Sequence, residues 1–173
     1  GTGEVLVSAG GGAVGGALLR SSLAARPMTR LADRPWRIVT GHNLPDAEFA
    51  AIARAAGPGV AVERYRPDLA ALFARCAVSV SQGGYNTMME LIAARARAVI
   101  VPFAAPGETE QLQRARLFAV RGLVTLAEGG EADPAQLAAA IDRAVLGDRP
   151  PATALDLDGA VATARLIREM AGA

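Results

Sequence analysis

Short apolar runs recur along the chain, each closed by turn residues and followed by a longer stretch with apolar positions at helical spacing. The runs are Glu4 to Ser8 (E-V-L-V-S), Trp36 to Thr40 (W-R-I-V-T), Val60 to Glu63, Val78 to Ser81, Ala98 to Val101 and Leu123 to Leu126. Such runs read as strands. The stretches from about Ala17 to Ala25, Pro45 to Ala56, Leu69 to Arg75, Asn86 to Ala94, Gln111 to Arg121, Pro134 to Leu146 and Gly159 to Met170 read as helices. Gly57-Pro58-Gly59, Gly122 and the segment from Gly147 to Pro151 supply the stops. Strand and helix alternating about six times predict an α/β fold, a Rossmann-like doubly wound parallel sheet of about six strands. The last helix is expected to pack back across the domain.

Two strand-turn-helix junctions carry the candidate chemistry. The first strand runs into Ala9-Gly10-Gly11-Gly12-Ala13-Val14-Gly15-Gly16, and the fourth into Gln82-Gly83-Gly84. In a parallel sheet the ligand crevice lies beyond the carboxyl ends of the strands, so both turns should face one cleft. The loop after Val101, broken by Pro102, Pro106 and Gly107, should face it too. Glycine allows close backbone approach, and a helix start offers N–H groups and a positive dipole end to a phosphate. Glu90 lies about one turn into its helix, too far in to cap it, where a carboxylate suits sugar hydroxyls. The first turn matches a dinucleotide fingerprint only loosely, because the second strand ends in Gly41-His42-Asn43, without the acid an NAD ribose requires. His42, the only histidine, is a residue of the cleft rim or a ligand contact.

Read together, S-Q-G-G-Y-N-T-M-M-E, a strand ending at Pro102 and the pair Glu110-Gln111 resemble the donor-binding segment of the GT-B nucleotide-sugar glycosyltransferases. Two branches are similar: the peptidoglycan N-acetylglucosaminyltransferase, and the UDP-glycosyltransferases with their H-C-G-W-N-S-x-x-E signature. Gly84, Tyr85, Asn86, Thr87 and Glu90 stand at the Gly, Trp, Asn, Ser and Glu of that signature, while Gln82 replaces its His. The resemblance implies that Gly11, Gly12, Ala13, Gly83, Gly84, Asn86 and Thr87 hold the donor diphosphate. It implies Glu90 for the ribose, Tyr65 and Arg66 for the base, and Glu110 and Gln111 for the donor sugar, with Gln111 not needed for the nucleotide itself.

The resemblance covers the C-terminal half of such an enzyme. It therefore implies a single donor-binding domain, cut from a longer protein whose N-terminal domain receives the acceptor and supplies the base. Catalytic residues are not assigned in this chain. The implied reaction is inverting transfer of a sugar from a nucleoside diphosphate, most naturally UDP, to an acceptor hydroxyl, with no cofactor and no metal. Alternatives on the same fold are a UDP-sugar hydrolase, a UDP-N-acetylglucosamine 2-epimerase and a nucleotide-binding module without catalysis.

Composition narrows these classes. With 173 residues, 51% of them hydrophobic, the chain can bury one full core. Lys and Arg number 18 against 17 Asp and Glu, which removes the bulk electrostatic case for nucleic acid or an anionic membrane. Membrane association of the whole protein through its other domain stays open. The lone cysteine, Cys76, excludes an internal disulfide and fits a cytoplasmic location. It is expected to be buried and inert, and Met88 and Met89 are expected to fill core.

Overall fold

The computed structural model describes residues 3–11, 14–103, 109–129, 131, 133–152 and 159–170. Its six strands are β1 (Val5–Ser8), β2 (Trp36–Val39), β3 (Val60–Glu63), β4 (Val78–Ser81), β5 (Ala98–Ile100) and β6 (Thr125–Leu126). They form one sheet in the order β3-β2-β1-β4-β5-β6, and every pairing is parallel. The helices are α1 (Gly16–Ala25), α2 (Asp46–Ala55), α3 (Leu69–Arg75), α4 (Tyr85–Ala93), α5 (Glu110–Val120), α6 (Pro134–Leu146) and α7 (Gly159–Met170). Element boundaries lie within two residues of those read from the sequence. Among the described residues, only a short 3-10 turn, Arg26–Met28, was not anticipated.

The pleat sorts successive side chains of β1 to opposite faces. Val5 and Val7 join a core with Leu18 and Leu19 of α1, Ile52 of α2 and Leu137 and Ile141 of α6. Leu6 joins a second core with Phe73 of α3, Met88 and Leu91 of α4 and Phe118 of α5. A central strand buried on both faces favours apolar residues at consecutive positions, which is why β1 and β5 read as near-unbroken runs, while in β4 the buried Ser79 and Ser81 satisfy each other by a hydroxyl–hydroxyl hydrogen bond at 3.2 Å. Cys76 packs in the second core, where burial pushes its thiol up to about 11. Met88 is fully buried and Met89 packs beside it.

Along the sheet edge, Arg37 of β2 donates to Glu4 at 3.0 Å and pairs with Glu63 at the end of β3. Arg66 donates to Glu63 at 3.4 Å and grips both oxygens of Asp68 at 2.8 Å. This ladder of five charged side chains fastens the segment after β3. One expectation fails: α7 does not pack across the domain. Residues 163–170 are all exposed, Met170 by 87%, because both faces of the sheet are already covered by the other helices. Among the described residues, no helix is long and apolar enough to cross a membrane.

Candidate functional site

The strand order reverses between β1 and β4, because the chain crosses from β1 to β2 on one side and from β4 to β5 on the other. Their outgoing loops diverge and leave a crevice at the carboxyl edge. Two adjoining cavities occupy it. One of about 280 Å³ is lined by Gly10, Gly11 and Val14, by Gln82 and residues 84–87, and by Gln111. The other, of about 250 Å³, is lined by His42, Tyr65, Arg66 and Glu90, among others. Gly10, Gly11, Asn86 and Thr87 line both and so form a shared wall.

In the first cavity the start of α4 faces the void. Its N-cap is Gly84, and no side chain caps it. Residues 84–87 therefore present first-turn N–H groups and the positive end of the helix dipole to the space they line. The β1–α1 junction differs from expectation. A Cβ on Gly16 would lie 1.8 Å from an Oε of Glu48, so a carboxylate already sits against the first turn of α1. That junction reaches the cavity through Gly10, Gly11 and Val14 of the turn, not through the helix end. Gly12 and Ala13, the other two expected diphosphate contacts, lie outside the described residues.

Long-range contacts brace these turns. Gly41 has φ +84°, and a Cβ there would stand 2.2 Å from the carbonyl oxygen of Gly10. Asn43, next to His42, donates to the carbonyl of Gly11. Gln82, only 7% exposed, donates through Nε2 to Glu131 at 3.1 Å and to the carbonyl of Val14 at 3.4 Å. The residue that replaces the signature histidine thus ties β4 to the β1 turn and to the loop before α6.

Gln111 does line the first cavity, as does the turn it was expected to complement. Its carboxamide oxygen, however, accepts from the N–H of Gly83 at 3.0 Å and of Phe103 at 3.2 Å. That oxygen holds two loops together, so Gln111 braces the phosphate turn as well as lining the cavity. Changing Gln111 to Ala is accordingly expected to weaken UDP and UDP-sugar alike in calorimetric titration. A loss confined to UDP-sugar would restore the pure sugar role. Glu110 is exposed and pairs with Arg114.

In the second cavity the rings of His42 and Tyr65 lie 4.7 Å apart at 32°. Both line the void, as does Glu90, exposed on α4 one turn beyond Asn86. The Arg66 guanidinium is committed to carboxylates: hydrogen bonding to Asp68 raises its pKa and lowers that of Asp68. What Arg66 can offer a base is therefore its backbone. Sequence reasoning missed Arg114 and Glu131 altogether; the i,i+4 spacing of Glu110 and Arg114 is the one signal that would have found the first.

With this geometry in view, the family model described as "Glycosyltransferase family 28 C-terminal domain" matches residues 13–158. The chain belongs to this family. This family 28 domain also resembles solved glycosyltransferases. CalG4, the calicheamicin glycosyltransferase, aligns with TM-score 0.66 and 19% identity over 84% of this chain and 34% of its own. MurG of Acinetobacter baumannii aligns with TM-score 0.61 and 17% identity, over 88% of this chain and 47% of its own. VinC, solved in complex with DTDP, aligns with TM-score 0.62 and 21% identity over 82% of this chain and 33% of its own. The family 28 domain thus spans between a third and a half of these enzymes. No curated protein matches it in sequence.

Proposed function

We propose that this domain grips the nucleoside diphosphate of a sugar donor, with the diphosphate in the first cavity and the nucleoside in the second. The observation that carries the reading is the shared wall: two cavities that meet at Gly10, Gly11, Asn86 and Thr87 suit one ligand with an anionic and a ring-bearing part. Helix-start amides at residues 84–87 receive the diphosphate, together with the Gly83 and Gly11 turns. Glu90 accepts from the ribose hydroxyls. Tyr65, with His42 against it, walls the base, and the backbone at Arg66 meets its edge. Glu110 and Gln111 border the sugar.

In the whole protein this supports a glycosyltransferase that uses a UDP-sugar, with inversion at the anomeric carbon. An acceptor hydroxyl, deprotonated by a base on an N-terminal domain, attacks that carbon while the diphosphate leaves. The amides of α4 stabilise the charge that develops on the leaving oxygen. The chain's single cysteine supports placing that protein in the cytoplasm.

The DTDP bound to VinC makes thymidine the base to test against uridine. Titrating the chain calorimetrically with UDP, dTDP, GDP and ADP, then with their sugars, is expected to show saturable binding of UDP, with dTDP next. Absence of heat with every diphosphate at millimolar concentration would refute the site. Free sugar or an epimer as the product of the full-length protein would replace transfer by hydrolysis or epimerisation.

A further inference from the structure

The peptide between Gly83 and Gly84 joins the two most permissive residues of the phosphate turn, and helix α5 holds it from one side. The N–H of Gly83 is taken by Gln111 at 3.0 Å, and its carbonyl accepts from Arg114 at 2.8 Å. Gln111 and Arg114 are three residues apart and so lie on one face of α5. The Arg114 guanidinium also pairs with Glu110 and lies 5.6 Å from the ring centre of Tyr85, with its side chain only 14% exposed. The approach is close enough that a Cβ on Gly83 would stand 3.3 Å from the Cβ of Gln111.

The chain has no cis peptide bond among the described residues, so a carbonyl and the following N–H point in opposite directions across each peptide plane. Drawing the Gly83 carbonyl toward α5 therefore aims the Gly84 N–H away from α5, and Gly84 lines the first cavity. Without that hold, a Gly-Gly peptide can rotate at little steric cost, because neither residue has a Cβ to clash. The rotated peptide would turn a carbonyl oxygen on the ligand, where the donor amide had been.

We propose that Arg114 is a positioning residue for the diphosphate: it latches the Gly83–Gly84 peptide in the orientation that presents an amide to the anion. The inference rests on the reading of the first cavity as the diphosphate site. It adds a residue that touches no ligand, and it makes the arginine's hydrogen bond to the Gly83 carbonyl, not its charge at a distance, the cause. Tyr85 steadies the guanidinium by cation–π contact, and Glu110 fixes its second nitrogen.

The test compares the chain with Arg114→Met and Arg114→Lys, using UDP and uridine as the two probes. Arg114→Met keeps an unbranched apolar stem against Tyr85 but cannot donate. It is expected to lower UDP affinity roughly tenfold, the scale of one charge-assisted hydrogen bond, while uridine binds within about twofold of the original. Arg114→Lys, with one donor in reach of the carbonyl, is expected to recover most of the loss. In the ligand-free protein the Gly84 amide resonance should shift or broaden in the Met variant and return with Lys. A parallel loss for UDP and uridine would make Arg114 a residue of the fold and overturn the latch, as would an unchanged UDP affinity. If the unsubstituted chain binds neither probe, the nucleotide reading fails on its own. The latch is then judged by the Gly84 resonance, and no change in Arg114→Met overturns it.

Discussion

Replacing Glu90 by Gln is expected to lower affinity for UDP about tenfold or more while leaving the ligand-free chain as stable as before. Glu90 stands on α4 at the far side of the shared wall, exposed to the cavity that Tyr65 and His42 also line. In the proposed reading its carboxylate accepts from two ribose hydroxyls at once. Hydrogen bonds to a charged group contribute about 1.5–3 kcal/mol each, and ~1.4 kcal/mol is a factor of ten in affinity. The amide keeps the shape but removes the charge, and offers a donor where the site needs an acceptor.

An exposed helix residue with no core contact has little influence on folding, so thermal unfolding should not move beyond about 0.5 kcal/mol. The discriminating ligand is 2′,3′-dideoxy-UDP, which has no hydroxyls to lose. With it, Glu90→Gln and the original chain should bind alike. An equal loss for both nucleotides would assign Glu90 to the phosphates or the fold and end its ribose role.

The second large effect belongs to Gly41, and it couples stability to the site. Its φ of +84° lies in the region that side-chain-bearing residues rarely adopt, and the missing Cβ is replaced in space by the carbonyl of Gly10 at 2.2 Å. The backbone conformation alone costs another residue about 1–3 kcal/mol. Moving a packed backbone out of contact adds about 1–3 kcal/mol. Gly41→Ala should therefore lose roughly 2–6 kcal/mol, and at ~2–4 °C per kcal/mol for a domain of this size the melting point falls by roughly 4–24 °C.

Because Gly10 lines both cavities, the same change should weaken UDP binding measured well below the melting point. Gly57→Ala is the control, since no atom lies within 4 Å of its missing Cβ and its φ is not positive. It should leave the melting point within a degree or two. Equal melting points for the two alanine variants would show that the β2 loop does not bear on the β1 turn.

Much of this was legible along the chain. Strands such as β1 and β5 were visible because strands covered on both faces favour apolar residues at consecutive positions, and the helices because Gly and Pro punctuate them. The S-Q-G-G-Y-N-T-M-M-E segment pointed to the donor-binding half of a glycosyltransferase, and residues 84–87 and Glu90 do converge on the crevice. The reading went astray where a side chain's partner is distant in sequence. Gly16 was read as part of a phosphate cradle, but Glu48, brought over by α2, stands against it. Gln111 was given a sugar to discriminate, and the sequence did not show that its oxygen also closes two loops. Arg66 was offered to the base and does line the second cavity, but the sequence did not show that Asp68 and Glu63 hold its guanidinium.

The sequence by itself determined the elements, their order and the glycine turns, because these follow from hydrophobic period and backbone sterics acting over a few residues. Only the tertiary structure decided which turn opens a helix end to the cavity, that Gln111 and Arg114 serve the backbone of that turn, and that Gln82 reaches across to Val14 in the other. Those outcomes depend on strand order: placing β1 beside β4 brings the turns after both strands to one crevice, with α5 against the second. A side chain's hydrogen bonds go to whatever polar group that packing brings within about 3 Å, and nothing in its neighbours along the chain specifies which group that is.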